Sequence, residues 1–249
     1  MRALLIAVAA LPLMACNGGA TIGQKSGTVV EAQGSGNARS YAARDFARVE
    51  LRGADDVEIS TGGDFSVRAE GDPQILDRLE IRIDGDRLIV DRKDRSGWNW
   101  GSDEGGDVRI LVSMPAIRAG LLAGAGDLTI NRAQGDFSGE LAGSGDLTIG
   151  ILQGGRANFS LAGSGTIAAS GQIDQFELAI AGSGDFNAPQ LSAGSANVSI
   201  AGSGNVRAQV GGDASVSILG SGDVDLGPQA RCKVSKMGSG DVRCGGGVR

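Results

Sequence analysis

The sequence predicts an all-β chain wound as a parallel β-solenoid (β-helix) with coils of about 18–20 residues. Three observations carry this. A small, glycine-broken motif, LAGSGDLTI at residues 141–149, recurs seven times in the second half of the chain. The copies keep one phase. Apolar and polar residues alternate on both sides of each glycine pair. An antiparallel sandwich would also explain the alternation, but not seven copies in phase.

The first glycines of the copies are Gly124, Gly143, Gly163, Gly182, Gly202, Gly220 and Gly238, spaced 19, 20, 19, 20, 18 and 18 residues apart. Two residues before them stand Leu122, Leu141, Leu161, Ile180, Ile200, Ile218 and then Lys236. Four after stand Leu128, Leu147, Ile167, Phe186, Val206, Val224 and Val242. Period-two alternation means strands. Each copy therefore reads as strand, tight turn, strand and a looser connection. One copy cannot bury its apolar face alone, but stacked copies make a continuous core.

Three residues after each glycine come Asp127, Asp146, Thr166, Asp185, Asn205, Asp223 and Asp241. Their side chains are expected to bond backbone N–H groups at the turn. Calcium-binding β-rolls repeat glycine and aspartate at a nine-residue period, which this chain lacks, so no metal is assigned. An eighth copy stands upstream in ARVELRGADDVEI, with Leu51, Gly53, Asp56, Val57 and Ile59 at matching offsets. Between it and Gly124, FSVRAEG, LEIRIDGDRLIVDRK and DVRILVSMP alternate too, the second as a hairpin about Asp84-Gly85. Residues 43–118 are therefore expected to form a less regular β section that caps repeat coils at 119–249.

Composition narrows the function classes. The chain has 249 residues, 43 glycines, no histidine and a formal net charge of −6. Without histidine the commonest general base and metal ligand are missing. No cofactor is assigned. An acidic chain with no basic stripe is repelled by phosphate backbones, so no nucleic acid partner is expected.

Residues 1–15, MRALLIAVAALPLMA, join a basic Arg2 to an apolar run too short to span a bilayer. With Cys16, the ending Leu13-Met14-Ala15-Cys16 resembles the bacterial lipobox. That resemblance implies cleavage before Cys16, lipidation of its thiol and a membrane partner through the lipid anchor. Asn17 in place of aspartate points to the outer membrane. Residues 16–42 are expected to be a lipidated flexible tether.

The stretches DFARVELRGADDVEIST, FSVRAEGDPQILDRLEIRIDGDRLIVDRK and VRILVSMPAIRAGLLAGAGDLTI, followed by GSGD coils, resemble the auto-transporter adhesin head domain family called GIN over about residues 44–244. The resemblance implies a right-handed solenoid and an adhesin-like role. It brings no catalytic residues.

Trp98 and Trp100 lie in DRSGWNWGSDEGGD, a loop composition expected at the surface, where such a pair stacks on sugars or docks on a protein. The alternative is that one folds back over the solenoid end. The outward column Ala123, Ala142, Ala162, Ala181 and Ala201 makes a ridge suited to packing a second copy or a partner, or only to clearing the corner. Cys232 and Cys244 lie six residues before and after Gly238, both on inward columns. A disulfide there requires Cα atoms within about 7 Å across a thin core; otherwise the two are buried thiols. The expected role is an envelope lipoprotein acting as an adhesin-like or scaffold module for a protein or glycan surface. The alternative is a periplasmic polysaccharide-processing enzyme, whose acidic groups would have to gather on one outer face.

Overall fold

The computed structural model describes residues 26–93 and 108–245. The chain opens with β1 (Thr28–Val30), β2 (Ala32–Gln33) and β3 (Ala38–Tyr41). β4 (Arg48–Gly53) and β5 (Asp56–Thr61) flank the first glycine corner. β6 (Ser66–Glu70), the single turn α1 (Pro73–Leu76) and the hairpin of β7 (Leu79–Asp84) and β8 (Arg87–Arg92) follow, then β9 (Arg109–Met114). The repeats supply β10 (Ala119–Gly124), β11 (Asp127–Gln134), β12 (Phe137–Gly143), β13 (Asp146–Gln153) and β14 (Arg156–Gly163). They continue through β15 (Thr166–Gly182), β16 (Asp185–Gly202), β17 (Val206–Val210), β18 (Asp213–Gly220), β19 (Val224–Asp225), β20 (Arg231–Gly238) and β21 (Val242–Arg243).

The result is a parallel β-solenoid of about 7 turns, as the repeat predicts. Successive copies stack in strict register: Leu122 on Leu141, then Leu161, Ile180, Ile200 and Ile218. The inward columns are buried, and each fully buried aliphatic side chain stabilises the stack by about 1.5–3 kcal/mol. Phenylalanines fill the middle: Phe159 meets Phe186 at 5.0 Å between ring centroids, and Phe186 meets Phe176 at 5.8 Å. Gly139 stands in an apolar column because a Cβ there would press on the Phe159 ring at 2.8 Å.

The loose connection predicted after the second strand is in fact a third short side. Alternation breaks at two consecutive exposed residues, Asn131–Arg132, and resumes with buried Ala133. The same break recurs at Gly150–Ile151 and Pro189–Gln190, before buried Leu152 and Leu191. One or two apolar positions per coil are too few to announce this side in the sequence.

The upstream copy is a true coil. β4 lies parallel beneath β10, with Gly53 under Gly124 and Leu51 under Leu122, and β5 lies beneath β11. The next coil outward is later in sequence: β8 pairs with β4 and β9 with β5, both parallel. The chain therefore lays one coil, steps outward for the next, and returns over both to begin the repeats. Beyond β8 and β9 the pairing turns antiparallel, through β7 to β1 on one side and through β6 and β3 to β2 on the other. This corrects the tether expected over residues 16–42. Residues 28–41 belong to the folded end, because Thr28–Val30 pairs with β7 and Ala38–Tyr41 with β6, leaving β1 and β2 as the edge strands.

Candidate functional site

Two glycine ladders build the corner along which the candidate site runs. Gly124, Gly143, Gly163, Gly182, Gly202, Gly220 and Gly238 all hold positive φ, from 126° to 148°. A Cβ at any of them would fall on the carbonyl of the glycine one coil below. In the lower coils that carbonyl takes two N–H groups of the coil above, as Gly124 O accepts from Ser144 N at 2.9 Å and Gly145 N at 3.3 Å; from Gly182 upward it takes one, as from Ser203 N at 2.9 Å. A second ladder begins at Gly126 and Gly145, where a Cβ would collide with the coil below in the same way. The glycine pair is thus a steric requirement of axial stacking.

Beside the corner runs a ladder of side chains. The Asp127 carboxylate accepts from the backbone N–H of Asp146 at 3.3 Å, and Asp146 from that of Thr166 at 3.1 Å. Asp185 accepts from Asn205 N at 2.8 Å, Asn205 from Asp223 N at 3.1 Å, and Asp223 from Asp241 N at 2.8 Å. The predicted turn residues do accept backbone N–H groups, but from the next coil rather than their own turn. Thr166 divides the ladder, and there Asp185 N turns to Gly165 O at 3.1 Å.

Along the last four coils this column becomes one wall of a groove of about 440 Å³. Asp185, Asn205, Asp223 and Asp241 line it with Asn187, Arg207, Asp225 and Arg243. The second row lies two residues further along each strand. Arg207, Asp225 and Arg243 are stacked in register, so unlike charges alternate up the row. Sequence reading missed this row. The signal was present: the same column reads Thr129, Thr148 and Ala168 in the first copies and turns to Asn, Arg, Asp and Arg only in the last four. Among the described residues no group of three or more Cys, Asp or Glu side chains is placed to hold a metal ion.

The remaining expected sites fall elsewhere. Trp98, Trp100, Cys16 and the leader at 1–15 lie outside the described residues. Cys232 and Cys244 are joined in a disulfide with Cα atoms 6.1 Å apart, so the two strands of the last coil face each other across a thin core. Ala123, Ala142, Ala162, Ala181 and Ala201 form an exposed column that ends in exposed Leu219 and Met237.

A second cluster of charge lies at the N-terminal end and is structural. Asp55, 2% exposed, accepts from Arg92 Nε at 2.9 Å, pinning the first corner to the hairpin. Arg82, 1% exposed, lies between Asp91 at 3.1 Å and Glu80 at 3.3 Å. Glu50 meets Arg87 at 3.0 Å. Nearby, a hydrogen bond from Arg48 holds the exposed Asp86 carboxyl below the usual carboxylate range.

A corner ladder and a polar groove on a stacked rod define a repeat-built binding scaffold. The chain belongs to the family described as putative auto-transporter adhesin, head GIN domain, whose model matches residues 45–230. Among solved structures it is similar to a putative adhesin from Bacteroides fragilis, with TM-score 0.68 and 18% identity over 83% of this chain and 95% of that one. A putative lipid binding protein from Parabacteroides distasonis matches with TM-score 0.64 and 18% identity over 87% and 97%. A putative adhesin from Parabacteroides merdae gives 0.62 and 16% over 83% and 95%. At these identities the likeness is one of fold. No curated protein matches the sequence significantly.

Proposed function

We propose that this chain is a cell-envelope lipoprotein, anchored to the outer membrane through Cys16, whose solenoid is an adhesin-like binding module for a surface glycan. The observation that carries the reading is the groove of the last four coils. Its two rows of carboxylate, amide and guanidinium groups repeat at the strand spacing of about 4.8 Å, on a backbone fixed by pairing above and below. Its side chains offer hydrogen bonds rather than aromatic faces, which suits hydroxyl-rich ligands better than an apolar protein surface.

The position of the groove fits this use. The described chain starts at Ser26 beside β1, at the antiparallel end. A lipid at Cys16 would hold that end to the membrane. From β1 to β20 one side runs through eleven stacked strands, about 48 Å at the usual spacing. The groove would then face outward at the far end.

A binding role also fits the chemistry better than catalysis. The chain has no histidine. The carboxylates of Asp185 and Asp223 already accept backbone N–H groups from the next coil.

A glycan array probed with the native chain and with Asn187→Ala/Arg207→Ala tests the reading. These two residues lie outside the axial ladder, so the fold should persist while binding falls about tenfold or more. Equal binding by both proteins would reject the groove. Release of soluble sugar fragments would instead make the protein a polysaccharide-processing enzyme. Cys16→Ser should move the protein from the membrane to the soluble fraction and abolish palmitate labelling.

A further inference from the structure

The last coil differs in charge from the rod it closes. Residues 231–245 carry Arg231, Lys233, Lys236 and Arg243 against Asp241 alone, in a chain whose formal net charge is −6. The coil beneath, residues 213–230, carries Asp213, Asp223 and Asp225 and neither Lys nor Arg. The two answer each other: Arg231 Nε meets Asp213 at 2.8 Å, and Arg243 stacks over Asp225. Among the described residues Lys233 and Arg243 meet no carboxylate at ion-pair distance, while Arg231 has one.

Among the described residues, β20 pairs only with β18 and β21 only with β19, leaving an eight-residue edge open. Val234 and Val242 are only partly buried, whereas Val216 and Val224 beneath them are buried. The Asp223 carboxylate accepts an N–H from the coil above it, but no such donor reaches Asp241 among the described residues.

We infer that this edge takes up an acidic segment of a partner protein, extended on both sides of a Gly-x-Gly corner, as one further rung. Strand addition supplies main-chain hydrogen bonds, and alternate side chains supply specificity. Carboxylates on the outward side would meet Lys233 and Arg243. Apolar residues on the inward side would complete the cover of Val234 and Val242, and one incoming N–H would reach Asp241. An acidic coil is followed by a basic one, and the next layer in that series is acidic. A second copy is a poor occupant, since β20 against β20 sets Arg231, Lys233 and Lys236 among like charges. The inference does not depend on the groove.

The probe is a synthetic peptide of about thirteen residues that alternates Glu and Val on both sides of a Gly-Ser-Gly placed over the Gly238 corner, tested on the full chain by fluorescence anisotropy and amide hydrogen exchange. Saturable binding with new protection in β20 is expected. Lys233→Glu/Arg243→Glu should weaken binding about tenfold. A peptide N-methylated on the alternate residues whose N–H groups face β20 should not bind, because it keeps the charge but loses the donors that would pair. If the double variant fails to fold, the N-methylated peptide decides the matter alone. Equal binding of the N-methylated peptide, protection elsewhere, or no binding would overturn the inference. So would a concentration-dependent doubling of mass that protects β20 without peptide, because the occupant would then be a second copy.

Discussion

The two ends of the rod are closed by different means. At the N-terminal end the stack changes from parallel to antiparallel and finishes in edge strands of three and two residues, β1 and β2. Short edges offer little template for further pairing. Buried ion pairs lock the coils there, notably Asp55 with Arg92 and Arg82 with Asp91. At the C-terminal end the parallel register runs unchanged to an eight-residue edge, held by one disulfide and one lysine. Between them the coils are held by sterics and apolar burial. A repeat specifies its own interior, but each end needs residues the repeat does not supply.

The sharpest break of this comparison is made in the middle. Gly182→Val would set a side chain on the Gly163 carbonyl at a φ of 126°. The expected cost exceeds about 4 kcal/mol, enough to stop folding. Gly36→Ala is the control: its φ is 70° but nothing lies within 4 Å of the new methyl, so the cost should be about 1 kcal/mol. Urea denaturation of both checks the contrast. Equal costs would mean that backbone strain, and not axial contact, explains the ladder.

Reducing the Cys232–Cys244 bridge, which spans 12 residues in sequence, should cost about 3 kcal/mol in the chain-entropy model. Amide exchange should rise in β18 to β21 and stay low in β4 to β9. A uniform rise would show that the two ends do not behave independently.

Asp55→Ala removes one partner of the pair that fixes the first corner. Asp55 is buried, but the Arg92 side chain keeps 19% exposure. The cost should therefore fall below the usual range for a fully buried pair, to about 2 kcal/mol. Exchange should rise in β4, β5 and β8. Loss confined to the far end instead would remove the structural role given to this cluster.

The interior was legible because its constraint repeats. Seven copies of a glycine pair, six of them with leucine or isoleucine two residues before, leave one stacking phase. The third side was not, because Ala133 and Leu152 stand singly between exposed residues and resemble a connection. The order of coils at the N-terminal end was hidden for another reason. Parallel pairing of β8 under β4 depends on which edge is free when the chain returns, and no local pattern records that. In the groove, the ladder of Asp185, Asn205 and Asp223 could be read from its column. The neighbouring row of Asn187, Arg207, Asp225 and Arg243 is marked only by the change in its column from Thr129, Thr148 and Ala168, because its residues differ in type.

The finest test concerns Lys236. It occupies the column filled by Leu122, Leu141 and Ile218 in other coils, yet its ammonium donates to the Gly240 carbonyl at 2.6 Å. In two interior coils that carbonyl meets the coil above: Gly145 O accepts from Thr166 N, and Gly165 O from Asp185 N. Among the described residues, Lys236 therefore gives Gly240 O the donor that a following coil gives elsewhere. Lys236→Ile loses this bond and restores an aliphatic residue that no coil among the described residues covers from above. The two effects should nearly cancel, leaving stability within about 1 kcal/mol of native. What should change is association, because a charge set inward on an open edge discourages pairing with another copy. Sedimentation equilibrium should show more end-to-end dimer for Lys236→Ile than for the native chain at equal concentration. Lys236→Arg keeps the charge and should match the native chain. A dimer population unchanged by Lys236→Ile would leave the lysine as a cap for one carbonyl and nothing more.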